Sequence, residues 1–202
     1  MSDYIEATIE YYNRNADSFF AGTADADMGP VREAFLAYIP EGGEILDVGC
    51  GSGRDSRAFL DAGYGVTSVD GSEALCRAAE KLTGQTVIHS LFQDYEPDRL
   101  YDGIWACASL LHLRKEDLVP VITKFAGALK PGGCFYMSFK KGNFSGDRSG
   151  RYFTDMTEAE AVSLLRNVNA LTLSRLFVTG DVRPGRGREE WLNIFAVKES
   201  EE

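Results

Sequence analysis

The sequence lacks most of the features that would settle its class at a glance. No apolar run approaches the roughly 20 residues a helix needs to cross a bilayer. The start, MSDYIEATIEYYNRN, has no basic segment followed by an apolar one. No secretory signal is therefore expected, and the cytoplasm is the default compartment. The four cysteines, Cys50, Cys76, Cys107 and Cys134, form no CxxC pair, and their spacing fits neither a zinc site nor a small disulfide scaffold. They are expected to be free thiols. His89 and His112 are the only histidines and stand apart from matching acids, so no metal site is expected. Positive charge is scarce: 21 Lys and Arg against 31 Asp and Glu give a net charge of −10. That balance counts against broad binding to nucleic-acid phosphate without removing it.

What remains is ordinary for a globular chain. It has 202 residues, 44% hydrophobic and 26% charged, ample for one substantial core. The charge is uneven. Residues 1–139 hold 11 Lys and Arg against 21 Asp and Glu, whereas residues 140–188 hold nine against five. The basic stretch is either a solvated surface or a local pocket for an anionic or electron-rich substrate.

Ile5, Ile9 and Tyr12 recur at helical spacing and predict a helix over 3–13, capped by Ser2 or Asp3. Residues 14–28 are polar and Ala-rich and predict a mobile loop. Pro30 fits a first helical position, and Val31, Ala34, Phe35 and Tyr38 form a stripe behind it. Strand and helix then alternate: strands at EILDVG, GVTSVD (65–70), TVIHS (86–90), YDGIWACA (101–108) and CFYMSF (134–139), with helices from Ser56, Ser72 and Glu116. Lys130-Pro131-Gly132-Gly133 is expected to end the last of these helices. This rhythm predicts a parallel sheet covered on both faces. Beyond residue 140 a loop, KKGNFSGDRSGR, leads to a helix near Thr157 and two strands around 171–178 and 191–198, joined by the basic turn DVRPGRGREE.

In open α/β sheets ligands sit beyond the carboxyl ends of the strands. The first such end reads Asp47-Val48-Gly49-Cys50-Gly51-Ser52-Gly53. Three glycines in five residues let the backbone turn sharply and approach a ligand. Asp70 ends the second strand, 17 residues after Gly53, where a carboxylate accepts both hydroxyls of a ribose. A nicotinamide fingerprint wants a small residue where Arg54 stands, and no Walker loop is present.

LDVGCGSG, VDGS, YDGIWACASLLH and LKPGG, in this order, resemble the class I S-adenosylmethionine-dependent methyltransferases over roughly residues 40–140. In general style the chain is similar to small bacterial members of the tellurite-resistance-like group. The resemblance implies an α/β fold: a Rossmann-like doubly wound sheet of about seven strands in the order 3-2-1-4-5-7-6, the last strand antiparallel, helices on both faces. It implies one methyltransferase domain over 1–202, with 1–40 as a helical cofactor lid, 41–140 as the cofactor-binding core and 141–202 shaping the substrate pocket. The implied cofactor is S-adenosyl-L-methionine. Asp47 and the loop Gly49, Cys50, Gly51 and Gly53 would border its methionine part, Asp70 its ribose, and Gly71 and Ser72 its adenosine. Leu91, Phe92 and Gln93 would lie against adenine, with Asp94 as an optional acid, and Ala108 and Ser109 beneath the sulfonium. Arg54 is available either to the cofactor carboxylate or to its neighbour Asp55.

Methyl transfer from a sulfonium needs alignment and exclusion of water, worth roughly 7–11 kcal/mol, and no catalytic dyad. A base helps where the acceptor is a hydroxyl or amine. His112 is the candidate, unless a backbone bond pins it in its turn; His89 reads as packing. Tyr11, Tyr12, Phe19 and Phe20 either pack or, as part of a lid, face the cation; Tyr12 is the expected cofactor contact. Lys140, Lys141, Arg148, Arg151, Arg183, Arg186 and Arg188 either form a rim for an acceptor anion or are solvated, with Tyr152 and Trp191 as flanking rings. The expected partner is a small-molecule acceptor, an anionic one included. An RNA nucleoside or a non-catalytic cofactor-binding role are the alternatives. Monomer and weak dimer both remain open.

Overall fold

The computed structural model describes residues 3–183 and 185–199; Ser2, one of the two expected caps, lies outside them. Helix α1 runs Asp3–Arg14. Residues 14–28, expected as a loop, hold a second helix, α2 (Ala16–Thr23). It buries Ala16 and sets the half-buried Phe19 edge to face against Tyr12, centroids 5.2 Å apart, a contact that its Ala and Gly content does not signal. Helix α3 (Gly29–Leu36) has Pro30 in its first turn and buries Val31 and Phe35.

The alternation then unfolds as β1 (Glu44–Val48), α4 (Arg54–Asp61), β2 (Gly65–Asp70), α5 (Glu73–Thr83), β3 (Val87–His89), β4 (Tyr101–Ala106), a 3-10 turn (Leu110–His112), α6 (Lys115–Gly127) and β5 (Leu129–Lys140). Ser72 caps α5 by accepting from the Leu75 N–H at 3.2 Å, and Gly84 ends it in the left-handed conformation. Lys130–Gly133 lies inside β5 rather than between helix and strand. Tyr101 pairs with Leu129 and Gly103 with Cys134, so a bulge absorbs the extra residues.

The stretch expected as a loop after residue 140 contains an antiparallel hairpin, β6 (Ser145–Arg148) and β7 (Arg151–Thr154). Helix α7 (Glu158–Arg166) begins with a reciprocal capping box between Thr157 and Glu160. The chain closes with β8 (Leu171–Gly180) and β9 (Glu190–Lys198).

The seven-stranded sheet has the order β3-β2-β1-β4-β5-β9-β8. The pairs among the first five strands are parallel; β9 is antiparallel to both β5 and β8. Alternate side chains feed two cores, as the period of two along a strand demands. Leu46, Val48, Ile104, Ala106, Phe135 and Met137 meet α6 and α7 on one face. Ile45, Trp105, Tyr136 and Phe195 meet Phe35 of α3 and Phe59 of α4 on the other. This second core is aromatic, with Trp105 stacked on Tyr136 at 4.0 Å between centroids. The two packed layers leave the carboxyl ends of β1, β2, β4 and β5 at one edge, and the functional side chains gather there.

Candidate active site

The bend after β1 is bound to the end of β2 through its own backbone. The N–H groups of Gly49 and Cys50 both donate to the Val69 carbonyl, at 2.8 and 3.1 Å. Gly49, Gly51 and Gly53 have φ of 78°, 56° and 79°, the left-handed region that disfavours a side chain. Space forbids one as well: a Cβ on Gly49 would lie 2.4 Å from that of Ser109, and one on Gly53 2.9 Å from that of Ala79. Asp70 completes the knot. One carboxylate oxygen accepts from the Gly51 N–H and the other from the Ser72 N–H, both at 2.8 Å. Each oxygen keeps a second lone-pair direction for a ligand. Burial pushes the Asp70 carboxyl up, against the pull of these N–H groups.

Two further acids stand behind the bend. Asp47 is buried and accepts from the Ser56 hydroxyl at 2.6 Å. Burial first, and the charge of Asp55 second, carry its carboxyl up to about 7. Asp55 is also buried, but Arg54, Arg32 and the Trp105 indole N–H all donate to it, at 2.6, 2.8 and 3.0 Å. These cations outweigh burial and hold it below the usual carboxylate range. Of the two roles open to Arg54, the structure shows pairing with Asp55.

A cavity of about 820 Å³ opens over this floor, a size suited to a cofactor with a small co-substrate. Its wall brings together Tyr12, Asp47, Gly49, Cys50, Gly51, Arg54, Asp70, Gly71, Leu91, Phe92, Gln93, Ala108, Ser109 and His112. Gly53 and Ser72 lie outside the lining; they cap α4 and α5 behind it. Asp94 is exposed and does not line it. The roof is the stripe Ile5, Thr8, Ile9 and Tyr12 of α1, with Phe19 of α2 standing over Gly51. Ile5, Ile9 and Tyr12 of this stripe mark the helix in the sequence, and the resemblance implies a lid there. Thr8, four residues from both Tyr4 and Tyr12 on the same face, is the member sequence reasoning missed. Its hydroxyl accepts from the Tyr152 N–H of β7 at 3.0 Å. Ser138, also missed, accepts from the Ala108 N–H at 2.8 Å and holds Ala108 at φ 52°; no local signal marks it. Next to Ala108, the buried Ser109 hydroxyl has no hydrogen-bond partner among the described residues.

His112 is pinned as its turn allowed. Its Nδ1 lies 2.7 Å from the Tyr152 carbonyl and must donate to it. Nε2 therefore carries the lone pair, and the Tyr12 hydroxyl donates to it at 2.8 Å. Burial lowers the imidazole pKa to about 4, so the ring is neutral near pH 7. The Tyr12 oxygen in turn accepts from Arg151 at 3.3 Å.

The basic rim is mostly self-neutralised. Lys140 pairs with Glu189, Lys141 with Glu190, Arg148 with Asp155, Arg183 with Asp181 and Arg186 with Glu189. Among the described residues no group of three or more His, Cys, Asp or Glu is placed to hold a metal ion. No described helix is long and apolar enough to cross a membrane.

Strand order, reversed seventh strand and glycine bend together define the class I methyltransferase fold. The methyltransferase-domain family matches residues 45–133 of the 202. YqeM of Bacillus subtilis, a protein named as a methyltransferase, is 34% identical over 104 residues, 48% of this chain and 42% of that protein. A ubiquinone biosynthesis O-methyltransferase of Coxiella burnetii is 35% identical over 127 residues, 58% of this chain and 53% of that protein. The chain thus spans about half the length of these curated relatives. In structure it is similar to the 1,6-didemethyltoxoflavin-N1-methyltransferase of Burkholderia thailandensis, solved with 1,6-didemethyltoxoflavin and S-adenosylhomocysteine. The TM-score there is 0.73 at 22% identity, over 95% of this chain and 85% of that one. None of these three singles out the tellurite-resistance-like group.

Proposed function

We propose that the chain binds S-adenosylmethionine and transfers its methyl group to a small-molecule acceptor that is itself anionic. The observation that carries the cofactor assignment is the Asp70 carboxylate, knotted to Gly51 and Ser72 at the end of β2 yet open to the cavity. The residues present fit the group. A Cβ on Gly71 would fill the cradle between Ile9 and Leu91, 2.7 and 3.2 Å away. The unpartnered Ser109 hydroxyl offers one more polar contact.

In this reading Asp70 grips the ribose hydroxyls. Gly71, Leu91, Phe92 and Gln93 flank the adenine. Asp47, Gly49, Cys50 and Gly51 border the methionine end, and Ala108 and Ser109 lie beneath the sulfur. Gly53 and Ser72 support from behind, and Arg54 acts through Asp55. Helices within 1–40 form the roof, 41–140 the floor and 141–202 the acceptor end. The cofactor supplies a methyl group on a positively charged sulfur. The chain supplies alignment and a dry enclosure. His112, neutral and engaged at both nitrogens, is a positioning residue for Tyr12: a base poised near pH 7 would need a higher pKa. An acceptor whose reacting atom already carries the negative charge needs no base.

The small-molecule reading is supported by the enclosed cavity and by the two relatives named for small-molecule products. The self-paired rim weakens the RNA alternative, since few of its cations are left for phosphates. Calorimetry with S-adenosylhomocysteine tests the cofactor assignment. Wild-type protein should bind, and Asp70→Ala should bind about 10–100-fold more weakly, the loss of a charge-assisted bond. Equal affinities would remove the ribose role.

A further inference from the structure

We infer that Arg151 is the anchor for the acceptor's oxyanion, a carboxylate or phosphate-type group held beside Tyr12; this rests on the methyltransferase reading above. The inference starts from charge balance. Arg54, Lys140, Lys141, Arg148, Arg183 and Arg186 line the cavity, and each is paired with a carboxylate of the chain. Two lining cations have no acid within 4.0 Å among the described residues, Arg151 and Arg188. Arg188 is exposed, where water serves it. Arg151 is half-buried, and its Nε is buried with no hydrogen-bond partner among the described residues.

Its surroundings hold the guanidinium in place without satisfying it. The group lies 4.3 Å from the centroid of the Tyr11 ring, 5.0 Å from that of Phe153 and 5.5 Å from that of Tyr12. Aromatic faces fix a planar cation and leave its edge free for a bidentate partner. The one hydrogen bond its guanidinium makes among the described residues, to the Tyr12 oxygen at 3.3 Å, is set by a directed relay. The Tyr152 carbonyl takes the His112 Nδ1 proton, so Nε2 takes the Tyr12 proton, so the Tyr12 oxygen can only accept. A relay of this kind contains no acid and cannot neutralise the cation at its end. An oxyanion in the cavity can, through Nε and an adjacent N–H. Arg151 starts β7, within the stretch 141–202 read above as the acceptor end, and none of its ring or hydrogen-bond partners belongs to the glycine bend.

The same chemistry could come from the cofactor's own carboxylate, and the test separates the two. Calorimetry with S-adenosylhomocysteine on wild type, Arg151→Lys and Arg151→Met comes first; equal affinities are expected. Inorganic phosphate and benzoate are then titrated into the S-adenosylhomocysteine-loaded proteins by NMR. The wild type should show saturable shifts with at least one of them. Arg151→Met should bind that anion about tenfold more weakly or worse, Arg151→Lys should fall between, and Arg188→Gln should match wild type. Failure of wild type to bind S-adenosylhomocysteine would sink the cofactor reading itself. If Arg151→Met loses affinity for S-adenosylhomocysteine, the oxyanion is the cofactor's and the assignment to the acceptor is wrong. No saturable anion binding by wild type, or binding untouched in Arg151→Met, overturns the anchor. Circular dichroism of Arg151→Lys checks that the hairpin still folds when the stacked cation changes.

Discussion

The two ends of the cavity are built from different materials. At the cofactor end the backbone does the shaping: three left-handed glycines, N–H groups folded onto Val69 and Asp70, and acids buried behind them. At the acceptor end side chains do it, delivered by α1, the 3-10 turn, the β6–β7 hairpin and the β8–β9 turn. The first end is built on two short stretches, 47–53 and 69–72, and leaves little room for a side chain at Gly49 or Gly53. The second is assembled from segments far apart in sequence and held in part by ion pairs, of which the outermost, Lys141–Glu190 and Arg186–Glu189, are each worth little.

Substitution should break this contrast in order of effect. Gly49→Ala faces both a φ of 78° and a contact of 2.4 Å with Ser109. It is expected to destabilise by about 2–4 kcal/mol and to abolish S-adenosylhomocysteine binding in calorimetry. Gly180→Ala, in β8 at the rim with open space around it, should do neither. If both substitutions behave alike, backbone shaping is not what sets the cofactor end apart.

Acidity sharpens the comparison, because the two ends respond with opposite sign. Asp47 is carried from 3.8 up to about 7 by burial, so the folded protein keeps a proton that the unfolded chain releases. Stability from this group is present below pH 3.8 and is lost as the pH rises through about 7. His112 is lowered from 6.5 to about 4. Its contribution is present above 6.5 and lost as the pH falls through about 4. Thermal scans of the ligand-free protein should show Asp47→Asn gaining over wild type as the pH rises toward 8. His112→Gln should gain on wild type as the pH falls toward 4. About 2–4 °C in Tm corresponds to each kcal/mol at this size. Parallel curves for wild type and either variant would show that the group concerned is not held out of its usual range.

The smallest effect belongs to the rim. Lys141→Gln and Arg186→Gln break pairs at 3.2 and 3.7 Å whose partners are largely exposed. Stability should stay within about 0.5 kcal/mol of wild type, and anion titrations should be unchanged. A large loss of anion binding in either would move the anchor outward from Arg151.

The same division explains what could be read from the sequence. The bend from Asp47 to Gly53 and the acid at Asp70 are local signals, since contiguous residues and their spacing encode them. The alternation of β1 to β5 was legible for the same reason, because parallel strands buried on both faces show as apolar runs. The β6–β7 hairpin was not. Ser145 to Arg148 is exposed or half-exposed and carries no apolar alternation, and the partner that covers β7 is α1, with Tyr152 and Thr8 144 residues apart. The neutralised rim was equally hidden, since Lys140 finds Glu189 across 49 residues. Counting charges in a stretch says nothing about which of them are already spoken for.

Strand β9 runs against its neighbours, and that reversal decides how the protein can diversify. Because its first residues meet the last of β5, Trp191 opposite Lys140, the turn from β8 brings Asp181, Arg183, Arg186 and Arg188 to the cavity with no crossover helix among its described residues. Residues can be added to or removed from that turn while seven rungs of pairing with β5 hold the frame still. On the proposed reading, acceptor preference is thereby uncoupled from the sheet, and a lineage could trade one client molecule for another without risking the bend after β1.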